Sequence, residues 1–162
     1  MHVEASSYVA DQVQTLDLRG DVLELGGRNI NGGVRTLIPH DRWLSVDITP
    51  GPDVDLVADA ATLNLSDRFD VVVCTEVLEH TASAPEIVAT AARHLNNGGY
   101  FVATMAGPDR ARHSAVDGGV LQPGEFYRNV DPAELDSWLD AADFTEWAID
   151  VAGDDVRCWA KR

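Results

Sequence analysis

The chain has 162 residues, 45% of them hydrophobic and 24% charged, which is typical of one globular domain. Acidic residues outnumber basic ones by 27 to 12, so the net charge is −15. This balance argues against unaided binding to nucleic acid, because Lys and Arg hold phosphates. The sequence contains no run of 18 apolar residues and therefore predicts no membrane span. Residues 1–10 lack the pattern of a signal peptide. Cys74 and Cys158 lie in predicted strands, which favours a reduced, cytoplasmic protein.

Apolar patterns along the chain predict buried strands separated by helices. A helix begins at Ser6 or Ser7, and five strands follow it. The fourth strand is the clearest, because three successive valines suit a strand that is covered on both faces. The five predicted strands span residues 21–26, 43–48, 55–58, 69–75 and 99–105.

The helices between and after these strands are predicted from their end signals. Residues 33–38 form a short helix that Pro39 stops. Ser83 and Glu86 make a capping box for a helix that ends at residues 97–99. Asp131 caps the last helix, with Pro132 and Glu134 in its first turn. Two closing strands, 145–151 and 156–160, are too close together for a helical crossover and therefore pair antiparallel.

Alternating strands and helices predict an α/β domain over residues 1–162, with a doubly wound, mostly parallel sheet. We expect seven strands, a C-terminal antiparallel hairpin and helices on both faces. In such folds ligands bind beyond the carboxyl ends of the strands, at the topological switch point.

Glycines and carboxylates follow several of the predicted strands. Gly26 and Gly27 come after the first strand, where glycine lets the backbone turn tightly and approach a ligand. Asp47 ends the second strand, and a carboxylate there is suited to accept hydrogen bonds from a ribose diol. Asp59 and Glu76 follow the third and fourth strands. Four such strand ends in order indicate a nucleotide-type site.

Four segments of the chain resemble class I S-adenosylmethionine-dependent methyltransferases. They are VLELGGRNING, WLSVDITPGPDVDLVADA, FDVVVCTEVLEH and LNNGGYFVATMAGP, and they run from Val22 to Pro108. The resemblance implies a Rossmann-like fold, S-adenosyl-L-methionine as cofactor and transfer of its methyl group. It does not indicate the acceptor or the oligomeric state. A small molecule, a glycan or a protein side chain is favoured over nucleic acid as the acceptor.

The same resemblance implies which residues bind the cofactor. They are Glu24, Gly26 and Gly27 near its amino-acid part, Asp47 at the ribose, Ile48, Asp59 and Ala60 at the adenine, and Thr75 with Glu76 beside the sulfonium. One departure concerns the glycine loop, because Arg28 and Ile30 stand where the family has further glycines. The conformation of that loop stays open.

His80, His113 and Glu76 are the candidate catalytic residues. His80 follows the fourth strand, on the side where the methyl group is expected to point, and either histidine is a possible general base. His80 is equally compatible with a helix-start histidine that is bonded to backbone. His113 lies in the long loop 106–130, whose length predicts a substrate lid or else a mobile surface loop.

Other functions are compatible with parts of the pattern. Glu76, Glu79 and His80 lie within one predicted helical turn, and His113 is able to close a metal site with a spacing that resembles the metal-assisted 2′-O-methyltransferases of small RNAs. We expect no metal, because such ligands are permissive and the acidic charge argues against RNA. The altered glycine loop permits an inactive S-adenosylmethionine-binding module. Taken by itself, the glycine turn followed by Asp47 is also compatible with the function of a nicotinamide-dependent oxidoreductase.

Overall fold

The computed structural model describes residues 3–162, which form one sheet with helices on both of its faces. In chain order the elements are α1 (Val3–Leu16), β1 (Gly20–Leu25), β2 (His40–Asp47), β3 (Leu56–Val57), β4 (Phe69–Thr75), a 3₁₀ turn (Leu78–His80), α2 (Ala84–His94), β5 (Leu95–Ala106), α3 (Pro132–Ala141), β6 (Glu146–Ala152) and β7 (Asp155–Lys161).

The seven strands lie in the order β3-β2-β1-β4-β5-β7-β6. The five strands β1 to β5 run parallel to one another, whereas β7 runs antiparallel to both of its neighbours, β5 and β6. The expected doubly wound sheet with a terminal antiparallel hairpin is therefore confirmed. Strand order reverses between β1 and β4, and a crevice opens there at the carboxyl ends of the strands.

The three valines of β4 show why the core has two sides. Val72 packs with α2 and α3 on one face, while Val71 and Val73 belong to the cluster on the α1 face. Alternate side chains of a strand point to opposite faces, so a strand covered on both faces needs an unbroken apolar run. The reading of this segment as a doubly buried strand is confirmed.

Two local predictions are wrong. Residues 33–38 form a turn rather than a helix. Only six residues lie between Gly32 and Pro39, and so short a segment gains too few hydrogen bonds to offset the free energy of helix nucleation. Ser83 stands at the N-cap of α2, but its hydroxyl does not cap the helix. Its φ of −101° and ψ of 31° differ from the extended backbone from which an N-cap side chain reaches the first turn.

Some element ends also differ from prediction. α1 already includes Val3, and Ser6 lies inside it, where its hydroxyl donates to the Val3 carbonyl at 2.9 Å. α2 ends at His94, and residues 97–99 belong to β5. The cap of α3 is as expected, because the Asp131 side chain accepts from the Ala133 amide at 2.8 Å. Among residues 3–162, no helix is both long enough and apolar enough to cross a membrane.

Candidate active site

A cavity of about 600 Å³ lies at the carboxyl ends of β1, β2 and β4. All of the residues that the sequence suggested for cofactor binding line it, although they come from four separate strand ends. They are Glu24, Gly26, Gly27, Asp47, Ile48, Asp59, Ala60 and Thr75, and the two candidates Glu76 and His80 line the same cavity. Their assigned contacts with a cofactor stay predictions.

Asp47 is held in place by backbone amides on both sides of the crevice. Its Oδ1 accepts from the Thr49 amide at 2.8 Å, and its Oδ2 accepts from the Arg28 amide at 3.2 Å. A carboxylate offers about four lone-pair sites, so these two bonds leave acceptor capacity for a sugar diol. The geometry therefore fits a ribose at the end of β2.

The turn after β1 explains two of the glycines. The Gly26 and Gly27 amides both donate to the Val46 carbonyl, at 2.8 and 3.1 Å, and Gly26 has a φ of 80°. A Cβ on Gly27 would lie 2.6 Å from Oε2 of Glu24. Because no side chain fits there, glycine keeps the backbone close to the buried carboxyl group of Glu24.

Glu24 itself is nearly buried, and its Oε2 accepts from Trp43 Nε1 at 3.0 Å. Burial raises the pKa of Glu24, while hydrogen bonds from Ser45 and Trp43 oppose that rise. Its position on the cavity wall, beside the glycine turn, suits recognition of a polar, positively charged group.

Ile48 is one of the apolar residues that line the crevice, and it is 71% exposed although it is a large hydrophobic residue. Next to it, the Ala58 amide donates to the Asp47 carbonyl at 3.0 Å, and Asp59 Oδ1 accepts from the Ala61 amide at 2.9 Å. An exposed apolar side chain beside an oriented carboxylate fits a flat base with a polar edge.

Glu76 follows β4 in a left-handed conformation, with a φ of 58°. Its Oε1 accepts from the Thr104 hydroxyl at 2.9 Å, and its Oε2 lies 3.5 Å from an Arg110 guanidinium nitrogen. Non-glycine residues adopt this backbone conformation rarely, and such strain clusters at functional sites. This left-handed backbone conformation directs the Glu76 carboxylate to the part of the cavity wall next to Thr75.

His80 lines the cavity and packs against two other rings. Its ring centroid is 4.9 Å from that of His113 and 5.2 Å from that of Tyr127, and the rings meet edge to face. Burial lowers the pKa of His80 to about 4, and the neighbouring His113 contributes to this. The imidazole is therefore neutral near pH 7. His113 is not on the cavity wall and reaches the site only through His80.

Glu79 is fully buried next to His80. Its Oε1 accepts from the Ala106 amide at 3.1 Å. Burial raises the pKa of Glu79 to about 8, and the charge of Glu76 contributes. Burying a carboxyl group costs free energy that an apolar residue of similar size would not. Packing alone therefore does not explain Glu79 at this position beside the crevice.

Residues 107–131 contain turns but neither helix nor strand. Within them, Ala115 and Val116 line the cavity, and the Ala115 carbonyl accepts from the Arg28 guanidinium at 3.2 Å. The loop thus covers one side of the crevice, as a substrate lid requires, and the lid function stays a prediction. The contact that Arg28 makes between the two loops was not predicted, because the sequence indicated only a large cation in place of a glycine.

The order of the strands, the terminal hairpin and the row of carboxylates along the crevice define a class I S-adenosylmethionine-dependent methyltransferase. This chain belongs to a methyltransferase domain family, whose model matches residues 1–149. The expected class is therefore confirmed, and with it S-adenosylmethionine as the cofactor. The alternative of a nicotinamide-dependent oxidoreductase is wrong.

One relative is named ubiquinone biosynthesis O-methyltransferase of Methylobacterium nodulans, and it is 35% identical to this chain over 101 residues. The match covers 57% of this chain and 40% of the relative, so the chain spans less than half of that protein's length.

Several solved structures share the fold. The 1,6-didemethyltoxoflavin-N1-methyltransferase of Burkholderia thailandensis has a TM-score of 0.71 at 19% identity, covering 99% of this chain and 77% of that chain. YcgJ of Bacillus subtilis has a TM-score of 0.72 at 13% identity, covering 99% of both chains. The amino pentose methyltransferase CalS10 of Micromonospora has a TM-score of 0.68 at 19% identity, and the match covers 98% of this chain and 91% of that chain.

Proposed function

We propose that this methyltransferase transfers the methyl group of S-adenosylmethionine to an oxygen atom of a small molecule. The observation that carries the proposal is the position of His80 on the wall of the cavity that Glu76 also lines, and burial there lowers the pKa of His80 to about 4. The relative from Methylobacterium nodulans is named as an O-methyltransferase, which supports oxygen as the acceptor atom.

The crevice offers the cofactor a complementary group for each of its parts. Asp47 takes the ribose diol, Ile48 and Asp59 take the adenine, and Glu24 faces the amino-acid part. With the cofactor in this orientation, we expect its sulfonium near Thr75 and Glu76, which line the cavity at the end of β4. The cofactor supplies an electrophilic methyl group, and the protein supplies its orientation and the surrounding charge.

The size of the cavity favours a small acceptor. A volume of about 600 Å³ lies within the usual range for small-molecule sites, and the cofactor takes much of it. Ala115 and Val116 of the loop close one side, so little room remains for a polymer. The net charge of −15 further disfavours nucleic acid.

The residues around the expected methyl group suit an oxygen acceptor. A hydroxyl group must lose its proton as the new bond forms, and a neutral imidazole accepts a hydrogen bond from it. A positioned base adds about 10²–10⁴-fold to a rate, and holding the two reactants in line contributes about 7–11 kcal/mol. His113 Nδ1 donates to the Ala111 carbonyl at 3.3 Å, which leaves its other ring nitrogen as an acceptor.

A reducing compartment such as the cytoplasm suits this protein. Cys74 and Cys158 are both free and buried, and neither takes part in a disulfide. Free thiols in a core are typical of proteins that work where glutathione keeps thiols reduced.

Product analysis tests the acceptor. The protein is incubated with methyl-deuterated S-adenosylmethionine and matched panels of phenols, anilines and thiophenols, and the labelled atom is identified by mass spectrometry and NMR. We expect label on oxygen, lost in His80→Ala and retained in His40→Ala, because His40 lies at the opposite end of β2. Label on nitrogen or sulfur alone, or cofactor binding with no transfer in any panel, contradicts the proposal.

A further inference from the structure

Three side chains with metal-ligating atoms converge beside the crevice. Glu79, His80 and His113 each offer one ligand atom, and the three atoms all lie within 4.8 Å of one another. Adjacent ligands of one bound ion are about 3 Å apart and opposite ones about 4 Å apart, given metal–ligand bonds of about 2.0–2.2 Å. The limit of 4.8 Å is slightly wider than these separations, so small side-chain rotations bring the three atoms to one ion.

Two polar atoms of this cluster have no hydrogen-bond partner among residues 3–162. They are Oε2 of Glu79, which is fully buried, and Nδ1 of His80. Leaving a buried polar atom unpaired costs about 1–3 kcal/mol, so native proteins almost always satisfy such atoms. A bound cation would accept a lone pair from each of these two atoms and would therefore explain why neither has a hydrogen-bond partner in the chain. An apolar neighbour would leave both atoms unsatisfied.

We propose that Glu79, His80 and His113 bind one divalent transition-metal ion at the wall of the crevice. Two imidazole nitrogens and one carboxylate oxygen are the ligands of many sites for Zn²⁺ and for iron, with positions left open for water or substrate. Mg²⁺ and Ca²⁺ prefer all-oxygen ligands, so this donor set favours Mn²⁺, Co²⁺ or Zn²⁺ over them.

The charges around the cluster are compatible with a cation. Glu76 and Glu125 are acidic groups close enough to act on His80. The nearby Arg110 is neutralised by its ion pair with Asp155 and by Glu76. A divalent ion therefore enters surroundings whose balance is negative.

The ligands come from two segments that the ion would join. Glu79 and His80 belong to the 3₁₀ turn after β4, where the His80 amide donates to the Val77 carbonyl at 2.9 Å. The Glu79 carbonyl accepts from the Arg128 amide at 2.8 Å. His113 comes from the loop that covers the cavity. Binding of the ion should therefore order this loop against the floor of the crevice.

The role of the ion in the reaction rests on the proposed function, whereas its binding does not. Of the three ligands, His80 alone lines the cavity, so the ion lies within reach of an acceptor oxygen there. A bound divalent ion favours the deprotonated form of such an oxygen. When the ion is bound, His80 and His113 hold it and the proton of the acceptor passes to water, whereas in the metal-free chain His80 accepts that proton directly.

Metal titration tests the site without cofactor or acceptor. The full chain is freed of metal with chelator and titrated with Mn²⁺, followed by electron paramagnetic resonance and calorimetry, and then with Zn²⁺ and Mg²⁺. We expect one Mn²⁺ per chain and much weaker binding of Mg²⁺. His113→Ala should weaken Mn²⁺ binding by more than the roughly 10–100-fold that loss of an outer-shell partner costs. His40→Ala should bind like the unmodified protein.

Two further measurements keep the result interpretable. His113→Ala should retain its affinity for S-adenosylhomocysteine, because His113 does not line the cavity, and this shows that the variant is folded. Mn²⁺ should slow tryptic cleavage after Arg112 in the unmodified chain but not in His113→Ala. Absence of saturable binding of any of Mn²⁺, Co²⁺ and Zn²⁺, or equal binding by His113→Ala, overturns the metal site. Metal binding without transfer to oxygen upholds the site and contradicts the proposed acceptor.

Discussion

Arg110, in the loop after β5, forms a buried ion pair with Asp155, the first residue of β7. Their side chains are 20% and 4% exposed. The same guanidinium group lies 3.5 Å from the Glu76 carboxylate on the cavity wall. One cation thus connects the loop, the terminal hairpin and the crevice, and it compensates two carboxylates that are both poorly solvated.

Arg110→Ala should lower the free energy of unfolding substantially. Removing the cation breaks the ion pair of the buried Asp155 carboxylate, and breaking a buried pair in this way costs about 3–5 kcal/mol. Urea titration followed by circular dichroism measures the change. Arg128→Ala is the matched control, because it breaks an exposed pair with Glu134, which is worth at most about 1 kcal/mol. Equal losses in the two variants would show that the buried pair contributes nothing special.

Asp47→Ala should abolish most of the affinity for S-adenosylhomocysteine. Hydrogen bonds to a charged group contribute about 1.5–3 kcal/mol each, so losing two from a ribose diol predicts a drop of about 10² or more in affinity. Calorimetry measures the dissociation constant. Asp41→Ala is the control, since Asp41 is exposed near the opposite end of the same strand. An unchanged affinity in Asp47→Ala would place the cofactor elsewhere.

The stability of the metal-free protein should fall as the pH rises from 6.5 to 8. The pKa of Glu79 is about 8 in the folded chain because of burial and Glu76, against 4.5 as its ordinary value. Between these values the folded state binds more protons than the unfolded state, so the free energy of unfolding decreases with pH. Over 1.5 pH units the loss is about 2 kcal/mol.

Glu79→Gln isolates this effect, because the amide does not titrate. His80 has a pKa lowered to about 4 by burial and His113, so the stability that it contributes is lost only as the pH falls from 6.5 towards 4. Above pH 6.5 it is neutral in both states and adds no slope. Urea titrations in chelator at several pH values should show a slope in the unmodified chain that Glu79→Gln reduces. Parallel slopes would mean that Glu79 is ionised in the fold.

Neither cysteine should react with thiol reagents while the chain is folded. Burial raises the pKa of Cys158 to about 12, and burial together with the charge of Glu79 raises that of Cys74. The thiolate is the reactive form, so alkylation by iodoacetamide at pH 8 should be negligible until denaturant is added. Mass spectrometry counts the modified thiols. Rapid labelling of Cys74 under native conditions would show that the end of β4 opens.

Much of the fold followed from local pattern. The run of three valines in β4, the Asp131 cap of α3 and the short link between the last two strands each reflect a constraint between neighbours in the chain. Neighbouring residues decide strand burial, helix caps and hairpin formation, so these features are readable from the sequence. The two wrong predictions, at residues 33–38 and at Ser83, concern positions where neighbouring residues did not decide the structure. Backbone geometry set elsewhere in the fold overrode a weak local signal.

The cofactor crevice was also foreseeable, because parallel strands bring their carboxyl ends to one edge and Asp47 and Asp59 each follow a strand. Tertiary structure alone decided the rest. His113 lies beside Glu79 and His80, a grouping that the sequence offered only as an alternative. This grouping, the ion pair of Arg110 with Asp155 and the contact of Arg28 with Ala115 all depend on the path of an irregular loop. Such a loop has no periodicity, so its side-chain partners arise from packing and electrostatics that act only once the sheet is assembled.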